Sequence, residues 1–305
     1  TNETVAVDTG LGGSMSGGTG RRLLRDERAR GIACRWVSLA AISMMLTCCH
    51  AQSPTSSPTI TRSPTASPTP FYNTTRALFS FLADVEDETV SVITIAEDFM
   101  SIDLIMTRPI NISRTLTIEG ECPLDGCVLS LDSPGSHIFT LGAGANVTFR
   151  NLRFVHAGVR VDQDATVAFH SCTFTGPSDG CGSGSQISAV EVGQANAAFD
   201  NCTFNGTRTD GDGGAVHLEK STARFTSCRF LNTATCSANG KGGALYVYNA
   251  SVLLESCDFV QTKAGNQGGA VYSSDGAHIN FTACTFDGTR SDSFGGAVGV
   301  QGGDV

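Results

Sequence analysis

General acid–base chemistry needs two carboxylates, or a carboxylate and a base, within hydrogen-bond reach of one another. In this 305-residue sequence the closest approach to such a pair is Asp210 and Asp212, in the loop DGDGG. No cation accompanies them in the neighbouring repeats, so they read as solvated loop acids. Ser273, Asp275 and His278 carry the residue types of a nucleophile, an orienting acid and a base. Each falls near a predicted corner, and nothing in the spacing brings the three together. We assign no catalytic residue and read the chain as a non-enzyme. A binding surface is the better expectation. Glu191, His217, Tyr246 and Tyr272 take the outward position of one short strand in consecutive repeats. Stacked aromatics there could pack on sugar rings; the plain alternative is that Tyr and His suit an exposed strand.

Twelve cysteines are the other reactive group. Five recur at one place in the repeat: Cys172, Cys202, Cys228, Cys257 and Cys284. Stacked inward residues point in parallel, whereas a disulfide needs converging Cβ vectors. These five are therefore expected as free, buried thiols acting as small hydrophobes. Cys122 and Cys127 bracket the turn PLDG and are the disulfide candidate. Cys181 and Cys236 lie in long loops and are left unpaired. No CxxC pair supplies zinc spacing; neither metal nor cofactor is expected.

What must position these residues is a six-residue phrase: FHSCTF (169–174), FDNCTF (199–204), FTSCRF (225–230), LESCDF (254–259) and FTACTF (281–286). A worn copy, FRNLRF (149–154), has Leu152 in the cysteine place. Successive phrases lie 20, 30, 26, 29 and 27 residues apart, a period that signals a stacked-repeat architecture. Strand side chains alternate between faces. Phe225 and Cys228 are three apart, so a corner at Thr226-Ser227 is needed to bury both. Cys228 and Phe230 then share a face. Upstream, Val216 and Leu218 alternate as a third strand, introduced by GGAV (213–216), which recurs as GGAL (242–245), GGAV (268–271) and GGAV (295–298). Each repeat thus holds three short strands, two tight corners and one long polar loop. That is one turn of an all-β parallel β-helix, with like residues stacked at about 4.8 Å.

The sequence opens on Thr1 and stops at Val305, and we read it as a fragment with further turns to come. Residues 1–51 hold a basic stretch (Arg21 to Arg30), an apolar run from Trp36 to Cys49 and a small-x-small exit at Cys49-His50-Ala51. Together these read as a signal peptide, with an uncleaved anchor as the alternative. Residues 52–72 form a Ser/Thr/Pro stalk or linker. Residues 73–146 supply irregular opening turns and an amphipathic helix over 74–86, where Leu78, Phe81, Leu82 and Val85 share a face. That helix would cap the raw end of the solenoid. Residues 147–305 carry the regular repeats. Net charge is −9, from 20 basic and 29 acidic residues. Leaving out the first 51 residues, 14 basic residues stand against 25 acidic, or −11. This acidic, Lys-poor composition argues against a nucleic-acid partner, which requires clustered cations. Among the sequons of the exported part, Asn73, Asn205 and Asn249 are the expected glycosylation sites.

The alternation of FxxCxF with GGA[VL] over roughly 147–300 resembles the repeat of chlamydial polymorphic outer membrane proteins, with GGA[ILV] and FxxN phrases. Phe230-Leu231-Asn232 is an FxN variant, and Phe204-Asn205 departs further. More broadly the chain resembles right-handed β-helix proteins of the pectin-lyase-like superfamily, and the resemblance implies the right hand. The superfamily's hydrolases bring paired aspartates, Gly-His-Gly and Arg-x-Lys, none of which is present here. The functional expectation is an exported cell-surface or extracellular structural or adhesive protein. Its partner would be an extracellular polysaccharide or a cell-surface protein, with the membrane reached only through an uncleaved anchor or a missing C-terminal segment. The alternative is a polysaccharide lyase or glycoside hydrolase whose catalytic turns lie outside this stretch.

Overall fold

The computed structural model describes residues 71–72, 81–95, 109–122, 127–130, 136–176, 181, 187–302 and 305. All of them fall in one compact unit, Ser63–Val305. The basic leader and the apolar run lie outside the described residues, as does all of the stalk but Phe71 and Tyr72. Among the described residues every strand pairing is parallel, and each strand pairs with its counterpart one turn away. The strands form three long sheets of nine, seven and eight strands and one narrow sheet of four.

One turn shows how the sequence makes this. Val216–Glu219 lies in the third sheet, Thr222–Thr226 in the first and Arg229–Leu231 in the second. Each alternates inward and outward residues. The corner predicted at Thr226-Ser227 is present: Ser227 has φ 53°. Its counterparts Asn151, Ser171, Asn201, Ser256 and Ala283 lie between 50° and 52° or at 53°. This is the left-handed region that short polar residues tolerate best. It turns the chain without using extra residues, so Phe225 and Cys228 both face inward.

The stacking follows from register. Phe149, Phe169, Phe199, Phe225, Leu254 and Phe281 align rung on rung in the first sheet. Phe154, Phe174, Phe204, Phe230, Phe259 and Phe286 do so in the second. Strand separation fixes ring separation: Phe199 stacks on Phe225 at 4.5 Å and Phe230 on Phe259 at 4.6 Å. The two ladders meet edge to face, as Phe169 and Phe174 do at 5.4 Å and 73°, the geometry aromatic quadrupoles prefer.

The GGA phrase has a steric cause. Its first glycine is left-handed, with φ 67° at Gly242. Its second is pressed between backbones: a Cβ on Gly243 would stand 2.2 Å from Gly269 O and 2.6 Å from Lys263 O. The alanine, Ala244, is fully buried.

The structure corrects the expectation of three strands per turn. A fourth, two-residue strand lies in the polar loop of four turns, at Arg208–Thr209, Ala234–Thr235, Lys263–Ala264 and Arg290–Ser291. Loops that return over similar distances run side by side and satisfy their backbone groups on each other. At the other end, Phe71–Tyr72 pairs with Thr94–Ile95, two residues inside the stretch read as stalk. Residues 81–86 are helical, and Phe81 and Val85 are buried. The Phe81 ring meets Phe139 edge-on. Arg114 donates to the carbonyls of Asp84 at 2.8 Å and Val85 at 3.1 Å, which are groups a helix C-terminus leaves open, and to that of Val90 beyond the helix. Residues 74–80, including Leu78, lie outside the described residues, as do residues 96–108 of the expected opening turns.

Candidate functional site

The outer face of the third sheet carries a ladder in register: Thr140, Arg160, Glu191, His217, Tyr246, Tyr272 and Gly299. The four residues picked from sequence are therefore true neighbours. His217 and Tyr246 lie 4.8 Å apart with rings tilted by 37°, and Tyr246 stacks on Tyr272 at 5.7 Å and 13°.

Their exposure differs from the expectation. Glu191, His217 and Tyr246 are half-buried, but Tyr272 is 0% exposed. Part of its cover is a roof from a neighbouring loop. Lys241 places its ammonium 4.5 Å from the Tyr272 ring centroid and donates to Tyr272 Oη at 3.1 Å. Tyr272 Oη donates to Gln301 Oε1 at 2.5 Å. The hydrogen bond with Tyr272 is the first cause that raises the Lys241 pKa. Burial, with Asp212 nearby, pushes the Tyr246 phenol up.

The Asp212 carboxylate accepts the backbone N–H of Lys241 on the next turn at 2.7 Å, while the Lys241 ammonium is held at Tyr272. Aligning repeats on the GG pair sets Asp212, Lys241, Gln267 and Phe294 at one position, and that alignment was the signal available. Asp212 O is 3.4 Å from His217 Nδ1 and accepts from Ser188 Oγ at 3.2 Å. Asp210 is exposed.

Towards earlier turns the face deepens into a pocket of about 180 Å³ lined by Arg160, Asp162, Glu191, His217 and Glu219, among others. Arg160 Nε donates to Asp162 at 2.9 Å, and its Nη1 is 4.0 Å from Glu191. His137 Nε2 lies 3.4 Å from the same carboxylate, an ion-pair distance without hydrogen-bond geometry. Burial pushes the His137 imidazole down, against the pull of Glu191. Sequence reasoning missed Arg160 and His137, which strand pairing across the unequal loops brings beside Glu191. A larger hollow of about 820 Å³ lies by the first sheet at Arg224, Leu253 and Asn280. No acid lines it.

The remaining candidates fall elsewhere. Ser273 is fully buried and in register with Val247, whereas Asp275 and His278 are exposed; the three do not converge. Cys172, Cys202, Cys228, Cys257 and Cys284 are free thiols, the first four buried. Each lies within 3.6 Å of the carbonyl of the preceding turn's first ladder residue, as Cys228 Sγ does at 3.5 Å from Phe199 O. Hydrogen bonding to the preceding thiol, with burial, raises the pKa of Cys202, Cys228 and Cys257. Burial is the first cause at Cys284. Such thiols are poor nucleophiles. Cys122 and Cys127 form a disulfide, and so do Cys181 and Cys236, which the sequence left unpaired. Cys127 pairs with Leu152 and thus occupies the ladder position of its own turn. Asn205 and Asn249 are exposed, the latter at a corner with φ 48°. Asn73 lies outside the described residues.

Among the described residues no group of three or more His, Cys, Asp or Glu could hold a metal ion. Among them, too, no helix is long and apolar enough to cross a membrane. The family of the right-handed β-helix region matches residues 136–304, more than half of the chain. The protein belongs to that family, which also gives the hand of its coil. No curated protein and no solved structure matches it.

Proposed function

We propose that the protein is exported and acts at the cell surface or outside the cell as a structural or adhesive binding protein. The outer face of the third sheet meets an extended ligand, with an extracellular polysaccharide favoured over a cell-surface protein. One observation carries this: from Arg160 to Tyr272 a charged pocket leads into stacked aromatic rings, all in register at rung spacing. A long ligand would make several weak contacts that act together. Residues 1–51 serve as leader, residues 52–70 as a stalk, and the helix around 81–86 caps the first turns. Asn73, Asn205 and Asn249 carry glycans. Glycan-array binding tests this reading. Tyr246→Ala should weaken any bound oligosaccharide about tenfold, from the loss of about 1–1.5 kcal/mol of ring stacking. An array without hits, or a variant that binds as well as wild type, would sink it.

A second reading has one observation in its favour. Arg160 faces Glu191 across adjacent turns, beside Asp162 and His137. An acid pair with a facing cation is what polysaccharide cleavage would require. On this reading Glu191→Gln abolishes release of shorter chains from the glycan that binds; on the binding reading the wild type releases none.

A further inference from the structure

The aromatic end of the face already holds an ammonium group, and the chain itself supplies it. Lys241 Nζ lies 4.5 Å from the Tyr272 ring centroid and 3.1 Å from the Tyr272 hydroxyl. Among the described residues it forms no ion pair within 4.0 Å. A cation over a Tyr face is held by the ring quadrupole, by about 0.5–1 kcal/mol where solvent reaches it and about 2 where it does not. The ring beneath is braced by its neighbours: Tyr246 stacks on it and Gln301 fixes its hydroxyl. The root of the Lys241 arm is anchored separately, through its backbone N–H on the Asp212 carboxylate. The ammonium can therefore swing away while the loop stays put. With the arm lifted, the part of the Tyr272 ring beneath Nζ is uncovered beside Tyr246.

The charge around this ring selects the visitor. Asp212 acts on both Lys241 and Tyr246. On preceding turns Glu219, Glu191 and Asp162 line the pocket. The cations nearby are engaged: Arg160 with Asp162 and Glu191, and Lys220 with Glu219 at 3.3 Å. A polymer of uronic acids would set its carboxylates against these acids. An amine-bearing polymer would set its ammonium groups among them.

We propose that the Tyr246–Tyr272 step is a subsite for an ammonium group, that the ligand is an amine-bearing glycan of the 2-amino-2-deoxy-sugar class, and that Lys241 is the internal plug this ligand displaces. The proposal rests on the glycan-binding reading above and names its chemistry. Sugar rings stack on the Tyr faces, and the amine takes the place of Nζ.

The test is calorimetric titration of the full chain with a glucosamine hexamer, its fully N-acetylated counterpart, a galacturonate hexamer and a lysine-rich peptide. Lys241→Ser removes the plug. Lys241→Met keeps an apolar cover over Tyr272 without the charge and serves if the serine variant does not fold. The glucosamine hexamer should bind wild type and bind Lys241→Ser about tenfold more tightly, with a smaller gain for Lys241→Met. Acetylation should weaken binding about tenfold, and galacturonate should not bind. Equal binding of the amine and acetylated hexamers, unchanged by either variant, overturns the subsite and leaves the glycan reading standing. Failure of every oligosaccharide on every variant overturns both. Tighter binding of the peptide alone overturns the glycan as the source of the amine.

Discussion

Two ladders in this molecule share one spacing and have opposite chemistry. Inside the first sheet the rungs read Phe149, Phe169, Phe199, Phe225, Leu254, Phe281. On the outer face of the third they read Thr140, Arg160, Glu191, His217, Tyr246, Tyr272, Gly299. An inward residue is packed by its own counterpart above and below, so a change on one rung leaves a gap or a clash on two others. An outward residue has solvent as an alternative neighbour, and the chemistry can change at every turn. The repeating ladder holds the fold, and the varying one is where function can be written.

The largest break in this comparison comes from inside. Phe225→Ala removes a fully buried ring stacked on Phe199 and meeting Phe230 edge to face. It should lower the unfolding free energy by about 3–5 kcal/mol, measured by urea denaturation.

The cysteine ladder gives a graded test. Thiols whose pKa is raised by folding bind protons more tightly in the folded state. Their stabilisation is complete below the unfolded thiol pKa of about 8.5 and is lost as pH rises above it. Cys202, Cys228 and Cys257 are all shifted in that direction. Between pH 9 and 10 each should contribute a fall of up to about 1.4 kcal/mol per pH unit. Replacing Cys228 by Ala should make the stability–pH curve shallower over that range; an unchanged slope would mean the thiols are indifferent to folding.

The smallest effect is expected outside. Arg224 and Glu255 pair at 2.7 Å on the outer surface of the first sheet, with more than half of the Arg side chain exposed. Exposed pairs of this kind contribute about 0.2–1 kcal/mol and weaken with salt. Arg224→Ala should therefore move the urea midpoint far less than Phe225→Ala, and less again in high salt. An effect as large as that of Phe225→Ala would erase the distinction between the two surfaces.

Much of this could be read from residue spacing. The three-residue offset of Phe225 and Cys228 forces a corner, and the left-handed Ser227 supplies it. Two-residue alternation places Val216 and Leu218 inward and His217 outward. The site was half legible. Glu191, His217, Tyr246 and Tyr272 were found, while Arg160, His137 and the Lys241 roof were not. Their turns have loops of different length, and a linear count across unequal loops does not say which residues stand above one another.

By itself, then, the sequence determined the repeat, the inward ladders and the parallel solenoid, because side-chain alternation and burial are local and recur in each turn. Only the tertiary structure decided that Cys181 meets Cys236, that the polar loops add a fourth narrow sheet, and that Lys241 covers Tyr272. These depend on how loops from different turns return to the sheets. Neighbours brought together that way are set by three-dimensional register and not by distance along the chain.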